Sequence, residues 1–90
     1  MLFMVIEHFK EWNAKPVYRR FRDKGRLLPN GLAYVDSWFD REFTRCFQIV
    51  ACDDPALIDA WAAAWADLID FEVHPVLPSK AAYAALEPEL

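Results

Sequence analysis

Cysteine and histidine are both scarce in this chain of 90 residues, with two of each. Two cysteines are too few for a disulfide framework. Cys46 and Cys52 also fall on one predicted strand, about 20 Å apart along it, whereas bridged Cα atoms lie within roughly 7 Å. Both are expected as buried thiols. His8 and His74, with Glu72 nearby, match no known metal-ligand spacing, so they are read as edge histidines and no metal is expected. Long apolar runs are missing as well. No stretch approaches the ~18 residues of a membrane span. Met1 to Ile6 is apolar but short, and Glu7, His8 and Lys10 follow it without a basic leader, so it does not read as a signal peptide. The cytoplasm is the expected location. Basic residues are outnumbered: 10 Lys and Arg against 14 Asp and Glu give a net charge of −4 and a pI near 5.0. That balance argues against a general nucleic-acid binder.

Apolar residues are plentiful. The hydrophobic fraction is 56% and the charged fraction 27%, which together describe a folded, well-solvated chain rather than a disordered one. Its length allows one domain, residues 1–90. A lone domain of this size buries only about 60% of its unfolded surface, so its core is marginal unless association adds to it.

Met1 to Phe9 reads as a strand whose nearly continuous apolar character suits a central position. After a polar loop, Asn13 is a candidate N-cap. Ala14, Val17, Tyr18 and Phe21 then form a helical stripe, with Arg19, Arg20, Arg22 and Lys24 largely off it. Pro16 fits the first turn, and Gly25 fits the position after the last. Pro29, Asn30 and Gly31 give a turn. Leu32 to Asp40 alternates as a second strand, and Arg45 to Cys52 is a third. Asp53, Asp54 and Pro55 start a helix whose buried stripe is Leu57, Ile58, Trp61, Trp65 and Leu68. Phe71 to Leu77 is a fourth strand, which Pro75 assigns to an edge. Residues 79–90 form a short C-terminal helix and tail. The order βαββαβ plus a C-terminal helix predicts an α+β, ferredoxin-like domain with both main helices on one face of an antiparallel sheet.

Side chains alternate across a strand, so each strand divides into two sets. Leu2, Met4, Ile6, Ala33, Val35, Phe39, Phe47, Ile49 and Ala51 are expected under the helices. Phe3, Val5, Glu7, Tyr34, Asp36, Trp38, Cys46, Gln48, Val50 and Cys52, joined by Phe71 and Val73, are expected on the helix-free face. Both sets are apolar. An uncovered face of roughly 300 Å² carrying Phe3, Trp38 and Val50 would invite aggregation. Covering it gains several kcal/mol at about 25 cal/mol/Å². A homodimer, sheet against sheet through the helix-free face, is therefore expected, with the polar residues lining an enclosed cavity between subunits.

The chain resembles the family of short bacterial proteins catalogued as domain of unknown function 3303. The stretches that carry the resemblance are MLFMVIE (1–7), VYRRF (17–21), GRLLPNGL (25–32), YVDSW (34–38), RCFQ (45–48), the DDP…W…W spacing (53–65) and DLIDFEVHPV (67–76). The resemblance implies a dimeric α+β barrel, a superfamily that includes cofactor-free monooxygenases, muconolactone isomerase and haem-dependent relatives. Family members often carry an acidic residue at the position of Ala51, which this chain lacks. Only the superfamily suggests haem here, and no cofactor is expected.

Glu7 is the leading catalytic candidate. A carboxylate among Phe3, Val5 and Trp38 has a raised pKa and suits a general acid or base; the plainer reading is a structural ion pair. Tyr34, Asp36, Trp38 and Gln48 are candidate ligand-binding residues, able to orient a small polar group against aromatic walls, or to form an interfacial polar network. The basic cluster Arg19, Arg20, Arg22, Lys24 and Arg26 reads as a solvated face. Arg26 and Arg45 are placed to reach the cavity mouth. Trp61 and Trp65 read as core packing. These features point to a small-molecule-binding homodimer acting on a small hydrophobic ligand, with cofactor-independent acid–base catalysis by Glu7 as its enzymatic form. A non-catalytic interaction or structural module is the alternative.

Overall fold

A computed structural model describes residues 1–90. Its elements are β1 (Leu2–Phe9), α1 (Lys15–Lys24), β2 (Ala33–Phe39), β3 (Arg45–Ala51), α2 (Ala56–Trp65), β4 (Ile69–Val76) and α3 (Ser79–Leu86), with short 3₁₀ turns at Lys10–Trp12 and Glu87–Glu89. The four strands form one antiparallel sheet in the order β2-β3-β1-β4. This is the ferredoxin-like layout that the order of predicted elements implies.

Local sequence explains the boundaries. The Asn13 side-chain oxygen accepts the Lys15 backbone N–H at 3.1 Å, which satisfies a donor left free at the start of α1. Gly25 ends the helix at φ 73°, where its N–H reaches the Phe21 carbonyl at 2.8 Å. A β-carbon would be strained at that angle. The link from β2 to β3 is tied by Asp40, whose carboxylate accepts the backbone N–H groups of Thr44 and Arg45 at 2.7 and 3.1 Å and the Thr44 hydroxyl. These bonds hold the Asp40 carboxyl below its ordinary range.

The two helices cover the face formed by Phe3, Val5, Glu7 and Phe9 of β1 and by Cys46, Gln48 and Val50 of β3. Ile69, Phe71 and Val73 of β4 share it through their register with β1. Val17, Ile58, Trp61 and Trp65 close the core from the helix side. The alternating sets expected for β1, β3 and β4 are therefore real, but the helices lie on the opposite one. Leu2, Met4, Ile6, Phe47, Ile49 and Ala51, expected beneath the helices, occupy the uncovered face and are only partly buried. Period-two patterning tells which residues share a face, not which face a helix will choose, and here both faces are apolar.

The second strand carries a further correction. A bulge between Tyr34 and Asp36 shifts its register: Tyr34 pairs with Val50, whereas Asp36 pairs with Ile49, Ser37 with Gln48, Trp38 with Phe47 and Phe39 with Cys46. The extra residue, Val35, reverses the phase beyond it. Ser37 and Phe39 thus face the helices, and Asp36 and Trp38 point the other way.

The C-terminal helix stands apart. No residue of α3 is buried, and Leu77, Tyr83 and Leu86 are 68%, 60% and 56% exposed.

Candidate functional site

A cavity of about 140 Å³ lies inside the single chain, between the helices and the sheet. Its floor is Glu7, Cys46, Gln48, Ser37, Phe39 and Ile69, and its roof is Val17, Tyr18 and Phe21 of α1 with Trp61 and Trp65 of α2. Arg26, from the loop after α1, closes one side. This space lies within the chain, on the helix-covered side of the sheet, whereas the sequence alone predicts Glu7 and Gln48 on the helix-free side. The reason is the choice of face described above: the set with Glu7 and Gln48 is the one that the helices roof.

Two indoles position Arg26. The Nε1–H groups of Trp61 and Trp65, one helical turn apart, both donate to its backbone carbonyl at 3.0 Å. Trp61 and Trp65 thus pack the core, as their helical spacing predicts, and also fix the loop that carries the cavity's cation. The Arg26 guanidinium lies 3.7 Å from the centre of the Tyr34 ring and 5.0 Å from that of Phe21. Aromatic faces attract a cation but do not neutralise it. No carboxylate forms an ion pair with it. Its Nε is buried and has no acceptor.

Glu7 is 7% exposed and faces this cavity. Burial pushes its carboxyl up to about 7, against a smaller downward pull from Arg26. At neutral pH it is thus divided between its two protonation states, the condition under which a carboxyl both holds and releases a proton. In register it lies between Phe71 and Cys46, one step diagonally from Gln48. Gln48 is 4% exposed, and its Nε2 has no acceptor. Cys46 is a free buried thiol, pushed up to about 12 by burial and by Glu7. A thiol so held is not a nucleophile at neutral pH. Cys52 is also free and buried.

The structure brings together Glu7 and Gln48 among the residues singled out from sequence. Tyr34 borders the site indirectly, stacked under Arg26 and sharing a 2.8 Å hydrogen bond between its hydroxyl and that of Ser37. Asp36 and Trp38 are on the other face of the sheet, carried there by the bulge. Arg26 reaches the cavity, whereas Arg45 lies 5.2 Å over Phe47 on the uncovered side. Sequence reasoning did not find Tyr18, Phe21, Ser37 and Phe39 as cavity residues. The α1 stripe is a signal for the first two, once the helix-facing side of the sheet is known; the bulge conceals the others.

The rest of the basic cluster is engaged elsewhere. Arg20 makes a two-pronged bond to Asp67, at 2.7 and 2.6 Å, and lies 5.3 Å over Trp65. Arg22 bonds its neighbour Asp23. On the uncovered face, Glu72 accepts or shares hydrogen bonds with both His8 and His74, at 2.9 and 2.5 Å, which hold its carboxyl below the ordinary range.

A family model described as Domain of unknown function (DUF3303) matches residues 1–90, the full length of the chain. No curated protein matches it, and no solved structure does.

Proposed function

The chain belongs to the Domain of unknown function (DUF3303) family, and on that premise we propose that it is a homodimeric small-molecule-binding module with one ligand cavity inside each subunit. The observation that carries the ligand reading is the cavity itself. It is walled by aromatic side chains and holds Glu7, Gln48 and Arg26, of which the Arg26 Nε and the Gln48 Nε2 are buried donors with no acceptor. Apolar walls around a few convergent polar groups are the general design of a small-molecule site. The conserved requirement of folding, satisfied polar groups in a dry core, is broken only here.

The dimer reading rests on the uncovered face. Leu2, Met4, Ile6, Phe47 and Ile49 form an apolar centre on β1 and β3. Asp70, Glu72 and His74 on β4 rim it on one side, and Asp36 on β2 on the other. An apolar centre inside a polar rim is the anatomy of a protein interface. A second copy supplies the same pattern under two-fold symmetry.

Two measurements test this reading. Screening with single-ring compounds by NMR is expected to shift the indole N–H signals of Trp61 and Trp65; a library that moves neither at millimolar concentration removes the ligand site. Sedimentation equilibrium is expected to give a dimer at micromolar concentration and a folded monomer for Ile49→Lys. A monomeric unmutated protein removes the dimer.

A further inference from the structure

Resting on the reading of the cavity as a ligand site, we propose that its occupant is a small single-ring carboxylate, held by Arg26 and Gln48 and taken up together with a proton on Glu7. A cavity of about 140 Å³ has room for one ring. Val17, Phe21, Trp61 and Trp65 offer that ring apolar and aromatic contact. The polar end is defined by what is unpaired. The Nε of Arg26 and the Nε2 of Gln48 are both donors sealed from solvent with no acceptor. A buried donor without a partner is costly, and an oxygen acceptor brought in by a ligand removes that cost twice over. Arg26 also carries a full charge that no carboxylate offsets by contact. Guanidinium groups recognise carboxylates through paired, charge-assisted bonds.

Charge balance then fixes the protonation. Against mostly apolar walls an uncompensated charge is costly, so the favoured total is near zero. Arg26 with a bound monoanion reaches it only when Glu7 is neutral. The titratable and charged groups around Glu7 are Arg26 from the loop, Cys46 from β3 and Tyr18 from α1. The same cavity is lined by Trp61 and Trp65 from α2, Ser37 and Phe39 from β2 and Ile69 from β4, and Phe71 pairs with Glu7 in register; none of these titrates. Cys46 and Tyr18 are both pushed upward by burial and stay neutral. Glu7 is thus the one group able to take the proton, and its carboxyl, already at about 7, moves higher still when a second carboxylate arrives.

The test is calorimetric titration of the full chain with benzoate and cyclohexanecarboxylate, and with benzamide as the neutral counterpart, between pH 6 and 8.5. The carboxylates are expected to bind at least tenfold more tightly than benzamide at pH 6. Above pH 7 their affinity is expected to fall about tenfold per pH unit, as one linked proton requires. In buffers of different ionisation enthalpy at pH 8, about one proton is expected to be taken up per ligand. Arg26→Gln should abolish the preference for carboxylates, and Glu7→Gln should make the affinity independent of pH. The buffer experiment needs no variant and so decides the matter even where a substitution unfolds the protein. Benzamide binding as tightly as benzoate, or no proton uptake, overturns the carboxylate assignment while leaving the cavity as a ligand site. If none of the three compounds binds while other single-ring compounds shift the Trp61 and Trp65 signals, only the carboxylate assignment falls. Silence from every compound removes the site itself.

Discussion

The two faces of this sheet are built from the same strands and are both rich in apolar residues, yet they are arranged differently. Beneath the helices, large side chains interlock around Trp61, and the few polar groups surround a cavity. On the other side, Phe47 and Ile49 are only partly buried and Trp38 is exposed, and charged groups keep to the margins. Hydrophobicity alone does not separate a core from a contact surface. The position of the polar groups does: Glu7 and Gln48 are buried in the middle of the covered face, whereas Glu72 and the histidines bonded to it stand at the border of the open one.

Substitutions of matched tryptophans test that contrast most severely. Trp61 is 2% exposed and Trp38 is 54% exposed. Trp61→Ala is expected to destabilise the protein by about 3–5 kcal/mol, through an unfilled volume and a lost bond to the Arg26 carbonyl. Trp38→Ala should change the stability of the monomer by no more than about 0.5 kcal/mol. Urea denaturation of both variants, at a concentration where association is absent, measures the difference. Equal losses would mean that the faces are alike.

The next largest effect is pH-dependent. Glu7 binds its proton more tightly when folded, at about 7, than the ordinary 4.5 of an unfolded chain. Below pH 4 both states are protonated and the residue has no effect. As pH rises through this window the unfolded chain releases its proton first, so stability falls, and above pH 7 the full penalty of about 3 kcal/mol is present. Glu7→Gln is therefore expected to be stabilising by an amount of that order at pH 8 and neutral at pH 4. Denaturation curves at the two pH values check it; a variant that is less stable at pH 8 would give Glu7 a structural role instead. The smallest effect is predicted at the periphery. Tyr83→Ser on α3 should change the stability of the monomer by no more than about 0.5 kcal/mol, because no residue of that helix is fully buried and Tyr83 is exposed.

Much of this organisation is legible in the chain. Asp53, Asp54 and Pro55 mark the start of α2, Gly25 marks the end of α1, and the alternation along β1 and β3 sorts their side chains into two correct groups. The candidate site was legible in part. Glu7 and Gln48 were recognisable as polar residues inside apolar strands. Their surroundings were not, because alternation has no sign: it cannot say on which side a helix settles. Val35 hides the rest, since a bulge without glycine leaves no mark in the pattern, and every residue of β2 beyond it changes face. Arg26 acquires its place only through the two indoles that grip its carbonyl from another helix.

The strand order puts β2 and β4 at the margins of the sheet, the first bent by its bulge and the second lacking a donor at Pro75. Neither margin offers a straight row of free N–H and C=O groups on which a further strand could be templated. Lateral growth into fibrils is discouraged at both ends. The flat side differs: its apolar centre on β1 and β3 is what the proposed dimer would cover, and a two-fold pairing there would leave no further copy of that surface free.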